Sequence, residues 1–242
     1  SDAIERQIES QMQAPPITRD SAHLGKAKLI HTARVSYQEF CESTFPDGLG
    51  LDGLKVVFDG ANGAGYKVGP RTLANLGAEV IPIGCSPNGR NINHGCGSTS
   101  PELLSLTVPA VKADVGVALD GDGDRLVMVD EDGKLVDGDQ LLYILAMARL
   151  AEGALQGPVV GTVMSNLGLE VALRELGVGF ERVAVGDRYI LERLTEKDWT
   201  LGGEPSGHII CRDRTSTGDG IIAALQVMQA VLPQRRRRLS LT

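Results

Sequence analysis

Residues Asp120-Gly121-Asp122-Gly123-Asp124-Arg125 crowd three carboxylates into one short turn. They directly follow the apolar run Val115-Gly116-Val117-Ala118-Leu119 and directly precede Leu126-Val127-Met128-Val129. Runs this short, free of charge and bounded by turn residues read as buried strands. The fold must therefore bring two core strands to a corner where negative charge accumulates. At an effective dielectric of 20, two unit charges 4 Å apart repel by roughly 4 kcal/mol. Such a turn is hard to sustain without a cation, and oxygen-only donors select a hard divalent ion, Mg²⁺ or Ca²⁺. Asp120, Asp122 and Asp124 are the candidate metal ligands, with Mg²⁺ the expected cofactor.

An EF-hand and a metal-free turn compete with this reading. The aspartates fall at positions 1, 3 and 5 of an EF-hand loop, with Glu131 at position 12. An EF-hand needs glycine at position 6, where this chain has Arg125, and Leu126–Val129 is β-like where the loop should enter a helix. A turn with no metal also uses glycine and aspartate. Arg125 favours the strand-end metal site, because a guanidinium beside a metal is suited to gripping a phosphate.

Around the turn, strands and helices alternate. Strands are expected at 55–58, 78–83, 115–119, 126–129, 159–163 and 180–183, with helices up to Leu76 and at 101–112, 168–176 and 188–196. Asp137 with Gln140 three residues on forms a capping-box pattern at the start of another helix. Trp199-Thr200-Leu201 and His208–Cys211 flank a glycine-rich loop as a hairpin. Ile221, Ile222, Leu225, Met228 and Leu232 mark one face of a last helix. Ahead of this lie a helix over 3–13, closed by Pro15-Pro16, and a helical pattern over 22–41. The class is α/β: two consecutive three-layer α/β domains with mixed sheets behind a helical leader. The boundaries are 1–21 for the leader, 22–135 for a metal-binding domain and 136–242 for a second domain.

Composition excludes several classes. A net charge of −7 argues against a general nucleic-acid binder. No apolar run approaches the ~18 residues of a membrane span, and no secretory signal opens the chain. Cys41, Cys85, Cys96 and Cys211 match neither a zinc ribbon nor a disulfide framework, which points to a reducing compartment, the cytoplasm. The start at Ser1 and the end after Arg235-Arg236-Arg237-Arg238 read as cuts in something longer, with the arginine run a solvated tail.

Four further segments are candidates. In Gly203-Glu204-Pro205-Ser206-Gly207-His208, the residues Glu204, Ser206 and His208 alternate along an extended segment and project to one side. Carboxylate, hydroxyl and imidazole suit vicinal sugar hydroxyls, although a glycine-rich hairpin facing water accounts for them equally. In Val185-Gly186-Asp187-Arg188-Tyr189, Asp187 is a potential helix cap, and Arg188 with Tyr189 could line a polar cleft. Asp59–Gly65 has the strand-to-helix context of a phosphate loop but no matching fingerprint, so it reads as a tight packing turn. Asn88–His94 carries no convergent chemistry.

Together with Thr217-Gly218-Asp219-Gly220, the order and spacing of these motifs resemble the α-D-phosphohexomutase superfamily, from Ser1 to about Leu232, and most closely its branch acting on glucosamine phosphates. The resemblance implies four domains around a cleft, with this chain holding domains 2 and 3 behind the last helix of domain 1. It implies Mg²⁺ on Asp120, Asp122 and Asp124, Arg125 near the phosphoryl group, and Glu204, Ser206 and His208 on the sugar with Asp187 and Arg188 nearby. The implied reaction interconverts glucosamine 6-phosphate and glucosamine 1-phosphate through a phosphoserine and a bisphosphate intermediate, so a phosphorylated hexosamine is the implied partner. The family's nucleophile motif, serine followed by His-Asn-Pro, is absent from these residues, as is the arginine-rich Ser-Gly-Thr phosphate loop of domain 4. Ser98-Thr99-Ser100 matches no nucleophile, and Pro205 stands where the sugar loop more usually carries a polar residue. The chain alone is accordingly expected to be inactive.

Overall fold

The computed structural model describes the backbone of residues 2–239 and the side chains of residues 4–232. It divides into two compact units after Ala33. The first contains helix α1 (Asp2–Met12) and a 3₁₀ turn, Ser21–His23, capped by the Asp20 carboxylate, which accepts from the amides of Ala22 and His23. Ile4, Ile8 and Met12, one per turn of α1, are exposed. The continuous helical pattern expected over 22–41 is corrected: α2 covers only Ala33–Ser43. Gly25 lies in the stretch between, and glycine weakens a helix interior by about 1 kcal/mol relative to alanine.

The second unit is a pair of sheets. The strands and helices of the first are β1 (Lys55–Asp59), α3 (Val68–Asn75), β2 (Glu79–Ile83), α4 (Glu102–Ala110), β3 (Val115–Leu119), β4 (Leu126–Val129) and β5 (Leu135–Val136). Those of the second are α5 (Gly138–Ala151), β6 (Val159–Thr162), α6 (Leu167–Glu175), β7 (Phe180–Val183), α7 (Asp187–Lys197), β8 (Leu201–Gly203), β9 (Ile209–Cys211) and α8 (Gly220–Leu239). The Asp137 capping box is present, with Asp137 and Gln140 each bonding the other's amide. The side chains of Arg235–Arg238 lie outside the described residues.

The first sheet runs β2-β1-β3-β4-β5 and the second β7-β6-β8-β9. In each, a central strand pairs in parallel with the strand on either side, and the chain then turns back through an antiparallel hairpin, β3–β4 or β8–β9. The acidic turn and the Glu204–His208 loop therefore occupy equivalent positions in two copies of one topology.

Strand alternation divides the core. Val56, Phe58, Val117, Leu119, Leu126 and Met128 face a core shared with α5, α8, Leu201 and Ile209. Val57, Ala118, Val127 and Val129 face Leu104 and Val108 of α4. Val160 and Ile210 meet Ile190 and Leu194 of α7 in the same way. Helix α8 packs on β3, β4 and β9, so its buried Ile222 and Leu225 serve both sheets. Each such side chain contributes about 1.5–3 kcal/mol on burial. This shared core fixes the two hairpin ends against each other.

Candidate active site

Asp120 ends β3 in a buried position, and its Oδ1 accepts from the amides of Gly123 and Arg125, both at 3.2 Å. The carboxylate thus closes the turn on itself. Burial raises its pKa above the usual carboxylate value; the Arg125 amide opposes this, while Asp124 and Asp122 add to it. Asp122 is exposed and Asp124 half-buried, and all three carboxylates can offer an oxygen within 4.8 Å of the others. The Arg125 guanidinium lies 3.8 Å from Asp120 Oδ2. Asp124 Oδ1 is buried yet makes no hydrogen bond. An oxygen-only donor set with an orphaned buried carboxylate oxygen fits a hard divalent cation.

The loop after β1 supports this turn. Asp59 is fully buried; its Oδ1 accepts from Ala61 N at 2.9 Å and its Oδ2 from Gly97 N at 2.8 Å. That clamp holds Ala61 and Asn62 in left-handed conformations, with φ of 52° and 49°. It delivers Gly63 to Gly121 so closely that a Cβ at Gly63 would overlap the Gly121 carbonyl. Ala64 N donates to Gly121 O, and Ser98 N to Leu119 O, each at 2.8 Å. Ile92 and Asn93 pack on the other side of Gly121. The segments 59–65 and 88–94, unremarkable as chemistry, form the frame that shapes the acidic turn.

The second hairpin docks directly on the first. Glu204 N donates to His208 O and Gly207 N to Glu204 O, both at 3.0 Å, which closes the loop. Leu126 N donates to Gly207 O at 2.9 Å, and Arg125 and His208 form an antiparallel bridge joining the sheets. Gly207 takes φ 92°, and a Cβ there would strike the Leu126 backbone. His208 is 3% exposed. Its Nδ1 lies 3.1 Å from Asp124 Oδ2, and its Nε2 lies 3.9 Å from Asp187 Oδ2. Glu204 Oε1 accepts from Gly186 N at 3.1 Å, and Ser206 Oγ lies 3.5 Å from Glu204 Oε2.

Asp187 does not cap its helix. Gly186 holds the N-cap position without a side-chain bond, and Asp187 is the first helical residue, which leaves its carboxylate facing His208. Arg188 is exposed and pairs along its own helix with Glu192 at 2.9 Å. At the start of α8, Gly220 N donates to Gly123 O at 2.9 Å. Asp219 Oδ1 caps Ile221 and Ile222, while its Oδ2 accepts from Tyr37 Oη at 2.7 Å. Asp120, Asp122, Asp124, Arg125, Asp187, Glu204 and His208 thus form one connected group. Sequence reasoning gave no individual role to Asp59 or Tyr37. The signal for Asp59 was a charged residue ending an apolar strand; Tyr37 left none.

Comparison with known proteins finds relatives over nearly the whole chain. Residues 36–133 match the family model "Phosphoglucomutase/phosphomannomutase, alpha/beta/alpha domain II", and residues 137–241 match domain III of the same family. The chain is 56% identical over 240 residues to a phosphoglucosamine mutase of Legionella pneumophila, covering 99% of this chain and 52% of that protein. It is likewise 56% identical over 230 residues to that of Aeromonas salmonicida, covering 95% and 52%. The chain therefore spans about half the length of the curated relatives it matches. Among solved structures, a phosphoglucomutase/phosphomannomutase family protein from Burkholderia thailandensis superposes with a TM-score of 0.71 at 25% identity, over 81% of this chain and 43% of that one. The N-acetylphosphoglucosamine mutase of Aspergillus fumigatus, solved with GlcNAc-6P and magnesium, shares the fold with a TM-score of 0.63 at 21% identity, over 84% and 51%.

Proposed function

Because this chain belongs to the phosphoglucomutase/phosphomannomutase family, we propose that it forms the metal- and sugar-binding centre of a phosphoglucosamine mutase, interconverting glucosamine 6-phosphate and glucosamine 1-phosphate. The observation that carries this reading is the Arg125–His208 bridge, which sets the three-aspartate turn against the Glu204–His208 loop. A hard cation and a polyhydroxylated substrate can be served from one place.

In this reading residues 22–135 are the metal-binding domain, 136–242 the sugar-binding domain, and 1–21 the end of a preceding domain. Asp120, Asp122 and Asp124 hold Mg²⁺, whose charge would stabilise the phosphoryl oxygens during transfer. Arg125, exposed beside them, grips the same group. Glu204 and Ser206 orient sugar hydroxyls, with Asp187 and Arg188 at the margin of the cleft. The phosphoryl-carrying serine, the clamp for the substrate's second phosphate and the bisphosphate intermediate belong to the whole enzyme. The chain alone lacks the Ser-His-Asn-Pro sequence and does not turn over. Its Mg²⁺ affinity is weak, because no phosphate oxygen completes the coordination. We place the protein in the cytoplasm; among the described residues no helix is long and apolar enough to cross a membrane.

The test is an activity assay on a full-length protein containing these residues, with glucosamine, mannose and glucose 6-phosphates side by side. The expected outcome is a preference for glucosamine 6-phosphate and a loss of at least ~100-fold in Asp122→Ala, the scale on which electrostatic transition-state contacts act. Preference for mannose or glucose phosphate would move the assignment to a sister activity. Turnover by the 242-residue chain alone would overturn the division of labour.

A further inference from the structure

We propose that Tyr37 is a positioning residue for the acidic turn: through the Asp219 carboxylate it holds the start of α8, and with it the backbone of Gly123 between Asp122 and Asp124. The inference rests on the reading of Asp120, Asp122 and Asp124 as a metal site, and it gives that site a support outside both hairpins. Tyr37 Oη donates to Asp219 Oδ2 at 2.7 Å. Seven residues further along each chain segment, Gln226 Nε2 donates to Thr44 O, just past the end of α2, at 3.0 Å. Seven residues are about two helical turns, so α2 and α8 run side by side in the same direction, tied at two levels. Only the first tie lies beside the residue of α8 that bonds the acidic turn.

The first turn of a helix presents amides that the helix itself cannot satisfy. Asp219 serves two of them: its Oδ1 accepts from Ile221 N and Ile222 N, each at 3.0 Å. Its carbonyl takes the first bond within the helix, from Ala223 N at 2.8 Å. The remaining amide, Gly220 N, donates to Gly123 O at 2.9 Å. Gly220 is seated so tightly that a Cβ there would lie 3.0 Å from both Gly123 O and Arg125 O and would overlap Leu119. The direction of the Gly220 amide depends on the cap, and the cap depends on which way the Asp219 carboxylate faces. Tyr37 fixes that orientation by engaging Oδ2. Burial, and after it the charge of Asp219, raises the phenol above its ordinary value of 10.0, so the hydroxyl stays a donor at working pH. Gly123 joins Asp122 to Asp124, and a shift of its carbonyl moves both carboxylates.

The test uses the 242-residue chain with Mn²⁺ as the probe, followed by the electron paramagnetic resonance of free Mn²⁺. Tyr37→Phe keeps the ring and removes the hydroxyl. It is expected to bind Mn²⁺ about 3–10-fold more weakly than wild type. That is less than the roughly 10–100-fold typical of a group bonded directly to a metal ligand, because two further bonds intervene. Gln226→Met cuts the second tie of the same helix pair. It is expected to lower the melting temperature at least as much while leaving Mn²⁺ affinity unchanged, a separation that a merely structural role for Tyr37 would not produce. Asp219→Ala is expected to lose more affinity than Tyr37→Phe, and adding Tyr37→Phe to it should lose nothing further. Equal affinity in wild type and Tyr37→Phe overturns the proposal. So does an equal loss in Gln226→Met, or an additive loss in the double variant.

A second measurement needs no metal. Amide hydrogen exchange in metal-free buffer is expected to be about 3–10-fold faster at Gly220, Ile221 and Ile222 in Tyr37→Phe than in wild type, with Leu225, a turn further in, unchanged. Unchanged exchange at the first three overturns the proposal too. Failure of the wild-type chain to bind Mn²⁺ even at millimolar concentration would count against the metal reading itself, while the Gly220 amide still decides whether Tyr37 holds the start of α8.

Discussion

The two hairpin turns sit at the same point of the same topology, yet they are closed by different means. In the acidic turn a buried side chain does the closing: Asp120 gathers the amides of Gly123 and Arg125. In the 204–208 loop backbone closes on backbone, through Glu204 N to His208 O and Gly207 N to Glu204 O. A turn closed by a carboxylate commits part of its charge to its own structure and retains the rest under mutual repulsion, which a cation relieves. A turn closed by its backbone keeps its side chains for other tasks: Ser206 faces solvent, Glu204 accepts from the Gly186 amide, and His208 turns inward toward the neighbouring turn. Equivalent positions in a fold therefore do not imply equivalent chemistry.

The most severe way to break this comparison is to separate the turns. Gly207→Ala places a methyl group on the Leu126 backbone at a residue with φ 92°. It should destabilise the second unit by about 3 kcal/mol or more, the range of combined strain and overpacking, as read by urea denaturation. Gly63→Ala drives a methyl into the Gly121 carbonyl and should be comparably harmful. If the turns are one structure, both variants lower Mn²⁺ affinity as well as stability. A Gly207→Ala protein with unchanged affinity would mean that the acidic turn stands alone.

Next in size is Asp59→Ala. Asp59 is fully buried and satisfies two backbone amides, and stranding buried donors costs about 1–3 kcal/mol for each. The expected result is a loss of several kcal/mol in urea melts, with Asp59→Asn intermediate because an amide oxygen can still accept one of the bonds.

What the sequence disclosed follows the range of the interactions. The strands were legible because apolar runs and turn residues act locally. The three aspartates were legible because their repulsion is evident from spacing alone. The tie between Asp124 and His208, which lie far apart in the chain, was not, since neither residue signals the other until the shared core under α8 brings the hairpins together. Asp187 illustrates a local rule yielding to context: its spacing suits a cap, but Gly186 takes that position and the carboxylate turns to His208 instead. Residues 24–32 failed in the opposite way, because a helical period there had no core to lie on within its own unit.

A smaller effect should distinguish the turns by the sign of their response. Asp122 is exposed, and it is Asp120 that closes the turn, so Asp122→Asn removes repulsion at little structural cost. In metal-free buffer its melting temperature should rise slightly, while Mn²⁺ affinity falls. Ser206→Ala, on the backbone-closed loop, should leave stability within about 0.5 kcal/mol of wild type and leave Mn²⁺ affinity unchanged. An Asp122→Asn protein less stable than wild type without metal would show that the aspartates do not repel as their spacing implies.

The mildest probe uses the thiol beside each hairpin. Cys85 lies against Gly60 in the frame of the acidic turn, and Cys211 ends β9, the outgoing strand of the other hairpin. Burial pushes both thiols up to about 11, and Cys41 to about 12, from an ordinary value of 9.0. A thiol whose pKa is raised on folding leaves native stability intact below the unfolded value. Between the unfolded and folded values the unfolded chain has released its proton and the native chain has not, so stability falls as pH rises. Urea midpoints should therefore be flat below about pH 8 and decline from about pH 9 to 11. Over the same range Cys85, the partly accessible thiol, should react with a disulfide reagent before Cys211, which should stay silent until global unfolding. If Cys211 reacts first, the loop hairpin opens more readily than the frame of the acidic turn.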